Sequence, residues 1–124
     1  MKIKCIALRD ASGESVEFSP WLTLGKIYLV LSTISSSNSV SMFQIVTSDR
    51  DDAIHSLGYW PAVCFEVLTE YRPTSWRART IGNTIELSPA AWQIDGFLEA
   101  LYDGDKAAKL IFESERNLMI LEEQ

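Results

Sequence analysis

The sequence predicts an α+β fold in which strands come first and helices follow. Three observations carry that reading. Short runs rich in β-branched and aromatic residues, bounded by turn chemistry, recur through residues 1–70. A Gly82-Asn83 pair then separates two further strand-like runs. From Asp105 onward, apolar residues recur at helical offsets. Strands segregated from helices along a chain define the α+β class.

The elements follow in order. Ile3 to Leu8 is a short β-compatible run, closed by the turn residues Asp10-Ala11-Ser12-Gly13. Gly25 supplies a turn conformation after Leu24, and Ile27-Tyr28-Leu29-Val30-Leu31 then reads as the second strand. Ser32 to Ser41 holds six serines and Asn38 with no apolar period, which predicts a hairpin tip or loop. In Val40 to Val46 the strand pattern resumes, with Met42, Gln44 and Val46 alternating against Phe43 and Ile45. Asp49-Arg50-Asp51-Asp52 closes that strand as a charged turn. After His55 to Pro61, Phe65 to Leu68 is the last short strand of this part. Four or five short strands in about seventy residues have the spacing of a small barrel.

Trp76 to Ile81 and Thr84 to Leu87 flank Gly82-Asn83 as a tight hairpin. Ser88-Pro89 combines a capping residue with proline at a first helical position, so a helix is predicted from Ala90. Asp95-Gly96 interrupts it. Phe97 to Tyr102 forms one or two turns ending near Asp103-Gly104. Asp105 then caps a longer helix, whose expected apolar face is Ala107, Ala108, Ile111, Phe112, Leu118 and Met119. The 124 residues are 47% hydrophobic, enough apolar surface for one globular domain and too short a chain for two large ones. That domain, 1–124, divides into a β part over 1–70, a hairpin over 71–87 and a helical part over 88–124.

The string Leu22-Thr23-Leu24-Gly25-Lys26-Ile27-Tyr28, then Phe43-Gln44-Ile45-Val46 with acidic residues after it, then Trp60-Pro61-Ala62-Val63-Cys64-Phe65-Glu66-Val67, resembles the small SH3-like β-barrels of bacterial and phage proteins. In those modules an L-T-x-G-K-x-Y run opens a strand and a Y-P-A-x-x-F-E-V run closes the barrel. This chain departs in its long serine tract and in Trp60, where the pattern has Tyr. The resemblance implies a small antiparallel SH3-like barrel over residues 1–70, and a fold does not specify a function. Separately, the Gly104-to-Glu113 run resembles C-terminal helices of some bacterial toxin-immunity proteins.

Most chemistries lack their residues. His55 is the one histidine, preceded by Asp49, Asp51 and Asp52 but with no second histidine and no cysteine at the ligand spacing of zinc sites; a solvated loop is expected over a carboxylate-histidine metal cluster. The acidic triplet lacks the Gly and terminal Glu of a calcium loop. No G-x-S-x-G motif activates any serine, and Gly25 and Gly82 stand alone without a phosphate-cradling cluster. Paired carboxylates such as Glu113 with Glu115 and Glu122 with Glu123 read as solvated helix charge. A non-enzymatic protein without cofactor or metal is therefore expected. Cys5 and Cys64 are isolated thiols among apolar neighbours, the N-terminus has no signal-peptide core, and Ile27 to Leu31 is far too short to span a bilayer; a cytoplasmic protein without a membrane role is expected.

Charge narrows the partner. Seventeen acidic residues against eleven basic give −6, a field that opposes nucleic acid. The charge is uneven: residues 1–71 carry −3, residues 72–94 carry +2 and residues 95–124 carry −5. The acidic C-terminal part predicts capture of a basic protein, as immunity proteins capture toxins, with Glu99, Asp103, Asp105 and Glu113 as the candidate surface. The alternative is an SH3-like nucleic-acid-binding or translation-associated module using Arg72, Trp76, Arg77 and Arg79, in which the indole stacks on a base. Against it, Arg77 and Arg79 alternate as the solvent face of a strand does, with Trp76 or Ala78 turned inward. Nothing in the sequence sets the oligomeric state.

Overall fold

A computed structural model describes residues 1–9, 12–37, 39–48 and 53–123, with the backbone alone for Ser39, Val40, Ala53 and His55. Among the described residues, eight strands form two antiparallel sheets, and two α-helices follow. The first sheet has three strands in the order β2 (Ile27–Leu29), β1 (Lys2–Cys5), β6 (Phe65–Thr69). The second has five: β5 (Leu57–Pro61), β4 (Ser39–Val46), β3 (Ser32–Ser36), β8 (Thr84–Pro89), β7 (Trp76–Ile81). The mixed α+β class is as the sequence predicts.

The chain crosses between the sheets three times, from β2 to β3, from β5 to β6 and from β6 to β7. Between β2 and β3 the chain passes from one sheet to the other within two residues: Val30 N–H donates to the Met1 carbonyl of the first sheet, and Leu31 N–H to the Gln44 carbonyl of the second. A bend of this kind is how one strand serves two sheets. The return runs through a 3-10 turn, Ala62–Cys64, between β5 and β6. Among the described residues the pairings do not close into a ring, so residues 1–70 are two sheets sharing a bent strand where a closed barrel was expected. Nor does the hairpin stand apart from them: β8 pairs with the free edge of β3 and extends the second sheet. Its Gly82-Asn83 turn is as predicted, with Ile81 opposite Thr84 and Gly82 at a φ of 59°.

The serine tract holds the expected hairpin, with Ser36 opposite Ser39, but most of it is strand where a loop was expected. Ser32–Ser36 is the central strand of the five-stranded sheet, hydrogen-bonded to β4 on one side and β8 on the other. Ser32 is fully buried, and its Oγ donates to Gln44 Oε1 at 2.5 Å. Two flanking ladders outweigh a weak local strand preference, because what β-propensity measures is fit to neighbouring strands. Ser32 faces Gln44, which faces Tyr59, giving a polar row across three strands. Burial pushes the Tyr59 hydroxyl up from its ordinary pKa, and its hydrogen bond with Ser32 opposes that shift.

At the C-terminal side, the predicted helix from Ala90 is instead a single 3-10 turn, Ala90–Gln93. Ser88 and Pro89 do not cap it by side chain; they are the last residues of β8, opposite Arg77 and Trp76. The chain break at Asp95-Gly96 is where expected. Helix α1 (Phe97–Tyr102) and helix α2 (Lys106–Glu122) follow, and the Asp105 side chain caps α2 by accepting from Ala108 N–H at 2.9 Å.

One cluster of buried apolar residues runs through both sheets and both helices, including Ile3, Ile45, Trp76, Leu101 and Met119. Phe65 meets Tyr28 and Phe43 edge-on and so joins the two sheets. Trp92 stacks on Phe112 at 5.1 Å and on Phe97 at 6.3 Å, tying the 3-10 turn to both helices. Cys5 and Cys64 are buried free thiols, and burial pushes both above the usual thiol range.

Candidate functional site

Helix α2 has more apolar surface than the core uses. At about 100° per residue, Ala108, Phe112 and Met119 share one face and are buried. Ala107, Leu110, Ile111, Ser114, Leu118 and Leu121 share a second face, about 130° around the helix. That second face is open: Leu110 is 68% exposed, Leu121 63% and Leu118 49%. The single apolar face expected from the sequence is therefore two faces. Ala107, Ile111 and Leu118 belong to the outer one, since a seven-residue offset drifts around a helix and cannot by itself separate neighbouring stripes.

The four acidic candidates are all exposed and differ in what engages them. Glu99 and Asp103 are a helical turn apart on α1 and at its C-terminal cap, both exposed. Asp105 is exposed yet committed to the α2 cap. Glu113 lies one turn beyond Lys109 on α2, so its field is partly offset by that ammonium. The structure thus brings together Glu99 and Asp103 at the corner between the helices, and the outer apolar stripe begins at Ala107, just past that corner.

At the far end of α2, Glu122 and Glu123 are not the solvated charges expected of them. Glu123 pairs with the N-terminal ammonium of Met1 and accepts from Thr69 Oγ1 at 3.1 Å. Glu122 accepts from Thr74 Oγ1 at 2.6 Å and from Thr74 N–H at 3.1 Å. The Thr74 hydrogen bonds hold the Glu122 carboxyl below its ordinary value. Together they fasten the helix terminus to β1 and to the segment after β6.

Of the basic and aromatic candidates, Trp76 is buried, Arg79 is half-buried, and Arg72 and Arg77 are exposed. Trp76 is 7% exposed, inside the core, so its ring is withdrawn from base stacking, contrary to the alternative reading. Arg79 forms an ion pair with Glu86 at 2.6 Å across the β7–β8 hairpin and donates to the Gln93 carbonyl at 2.7 Å. Arg77 donates to the carbonyls of Thr74 and Trp76. Arg72 is exposed. Alternation along β7 puts Arg77 and Arg79 on the face opposite Trp76, while Ala78, on the Trp76 face, is exposed.

His55 and the aspartates Asp49, Asp51 and Asp52 lie outside the residues whose side chains are described. Among the described residues no group of three His, Cys, Asp or Glu side chains is placed to hold a metal, and no helix is long and apolar enough to cross a membrane. Comparison with family models, with curated proteins and with solved structures returns no match to this chain.

Proposed function

We propose that this chain is a non-enzymatic binding protein that captures a basic protein partner on the outer face of α2. The observation that carries the reading is the open stripe of Leu110, Leu118 and Leu121, with Glu99 and Asp103 at the corner where it begins. An apolar centre with a charged margin is the anatomy of a protein interface, and an exposed stripe of this kind on a soluble domain marks one. The exposed carboxylates of Glu99 and Asp103 give the margin its sign and select a basic surface opposite it. In its sharpest form the chain is an immunity protein that neutralises a basic bacterial toxin. Two buried free thiols are in keeping with a reducing, cytoplasmic setting.

The SH3-like reading of the first seventy residues is part of the same proposal. It is supported by the strand bent between two sheets at Val30-Leu31 and by the short turn that leads from Pro61 into β6.

Affinity capture from the source cell, followed by calorimetric titration with the purified partner, tests the interface. Leu110→Asp with Leu118→Asp should abolish binding of a basic partner. Glu99→Lys with Asp103→Lys should slow association about tenfold or more at low salt. A partner that binds both double variants as it binds the native chain overturns the proposal.

A further inference from the structure

On the opposite flank of α2 a cavity of about 240 Å³ opens between that helix and both sheets. Its wall is apolar, with Ile27 and Leu29 from β2, Val46 from the end of β4 and Ile120 from α2. Buried Tyr28 and Leu31 stand behind them. Lys2, Lys26 and Arg116 complete the lining, and among the described residues no carboxylate contributes to it. In a chain with seventeen acidic residues and eleven basic ones, a lining with Lys2 and Lys26 and, among the described residues, no carboxylate runs against the composition.

Lys26 is held by side-chain contacts, and Lys2 is placed by the sheet register. Lys26 Nζ donates to the Thr47 carbonyl at 3.4 Å and sits 5.2 Å from the centroid of the Tyr28 ring, a contact that favours a cation at this place. Lys2 stands directly opposite Leu29 across the β1–β2 ladder, so its stem and the apolar wall share one face of the sheet. Among the described residues neither ammonium has a carboxylate partner. An ammonium already held near its place costs little ordering entropy when an anion arrives.

We propose that this cavity binds a small organic anion, a carboxylate on a short aliphatic body, with its oxygens at Lys2 and Lys26 and its body against Leu29, Val46 and Ile120. Size and lining together select the class. The volume falls below the range of about 300–1,000 Å³ typical of drug-sized ligands, which limits the body to a short one. The apolar wall disfavours a bare, fully hydrated anion, whose desolvation it would not offset. The three cations disfavour an amine of the same length.

Titration of the full chain with hexanoate, followed by amide NMR, tests this. Hexanoate should shift the amides of residues 26–31 and 116–120 and saturate, while acetate, hexylammonium and inorganic phosphate should each bind at least about tenfold more weakly. The double variant Lys2→Gln with Lys26→Gln should bind hexanoate at least about tenfold more weakly with the rest of its spectrum unchanged. Equal binding of hexylammonium, acetate or phosphate would overturn the proposed class. Failure of hexanoate to saturate, or undiminished binding by the double variant, would overturn the site.

Discussion

The two faces of α2 are built from the same kinds of residue and meet opposite fates. Phe112 and Met119 are 2% and 0% exposed, whereas Leu110 and Leu121, on the outer face, remain largely in solvent. Large apolar side chains stand on both sides; what differs is how far each is covered. The inner face meets the Trp92 stack and the core, while the outer face leaves Leu110 and Leu121 mostly in solvent and Leu118 half exposed. A helix of this kind contributes to folding with one side and keeps the other for association.

The comparison can be broken by deletion on each side. Phe112→Ala should cost about 4 kcal/mol, because it removes a stacked ring and leaves a cavity under the helix. Leu118→Ser, on the outer face, should change monomer stability by no more than about 0.5 kcal/mol. Urea denaturation of both variants measures the difference, and comparable losses would mean that the outer face is covered after all.

A second contrast sharpens the same point with polar groups. Ser32 and Ser41 belong to one serine-rich tract, but Ser32 is buried in the polar row with Gln44 and Tyr59 while Ser41 is exposed. Ser32→Ala should cost about 2 kcal/mol, since it leaves buried acceptors and donors without their partner. Ser41→Ala should be close to neutral by the same denaturation assay.

The smallest expected effect lies at the α2 terminus. Glu122 has a folded-state pKa below its ordinary 4.5, so its contribution is present above that value and is lost as pH falls through the lower folded one. Melting curves between pH 7 and pH 3 should therefore show Glu122→Gln losing less stability on acidification than the native chain. A variant with the same acid sensitivity as the native chain would detach Glu122 from the clamp.

Local chemistry was legible wherever it acts alone. The Gly82-Asn83 turn, the extent of α1 and the Asp105 cap all follow from residues adjacent in sequence. Ser88-Pro89 misled for a tertiary reason: the same dipeptide that starts a helix also ends a strand, and pairing with Arg77 and Trp76 decided between them. The acidic candidates were found by counting charge. Counting could not reveal that Glu122 and Glu123 are engaged by Thr74, Thr69 and the N-terminus, because those partners are 48 or more residues away. The cation-lined cavity was missed for a similar reason, since Lys2, Lys26 and Arg116 come from distant parts of the chain.

The sequence by itself determined the α+β class, the order of strands before helices, the hairpin, the helix cap and the concentration of negative charge toward the C-terminus. Each depends on backbone preferences or on composition, which short-range chemistry sets. Tertiary structure alone decided that a serine tract becomes a central strand, that the hairpin joins the larger sheet and which apolar stripe of α2 is left open. Those outcomes depend on which distant segments supply the ladder bonds and the covering surface, a choice made by packing the whole chain at once.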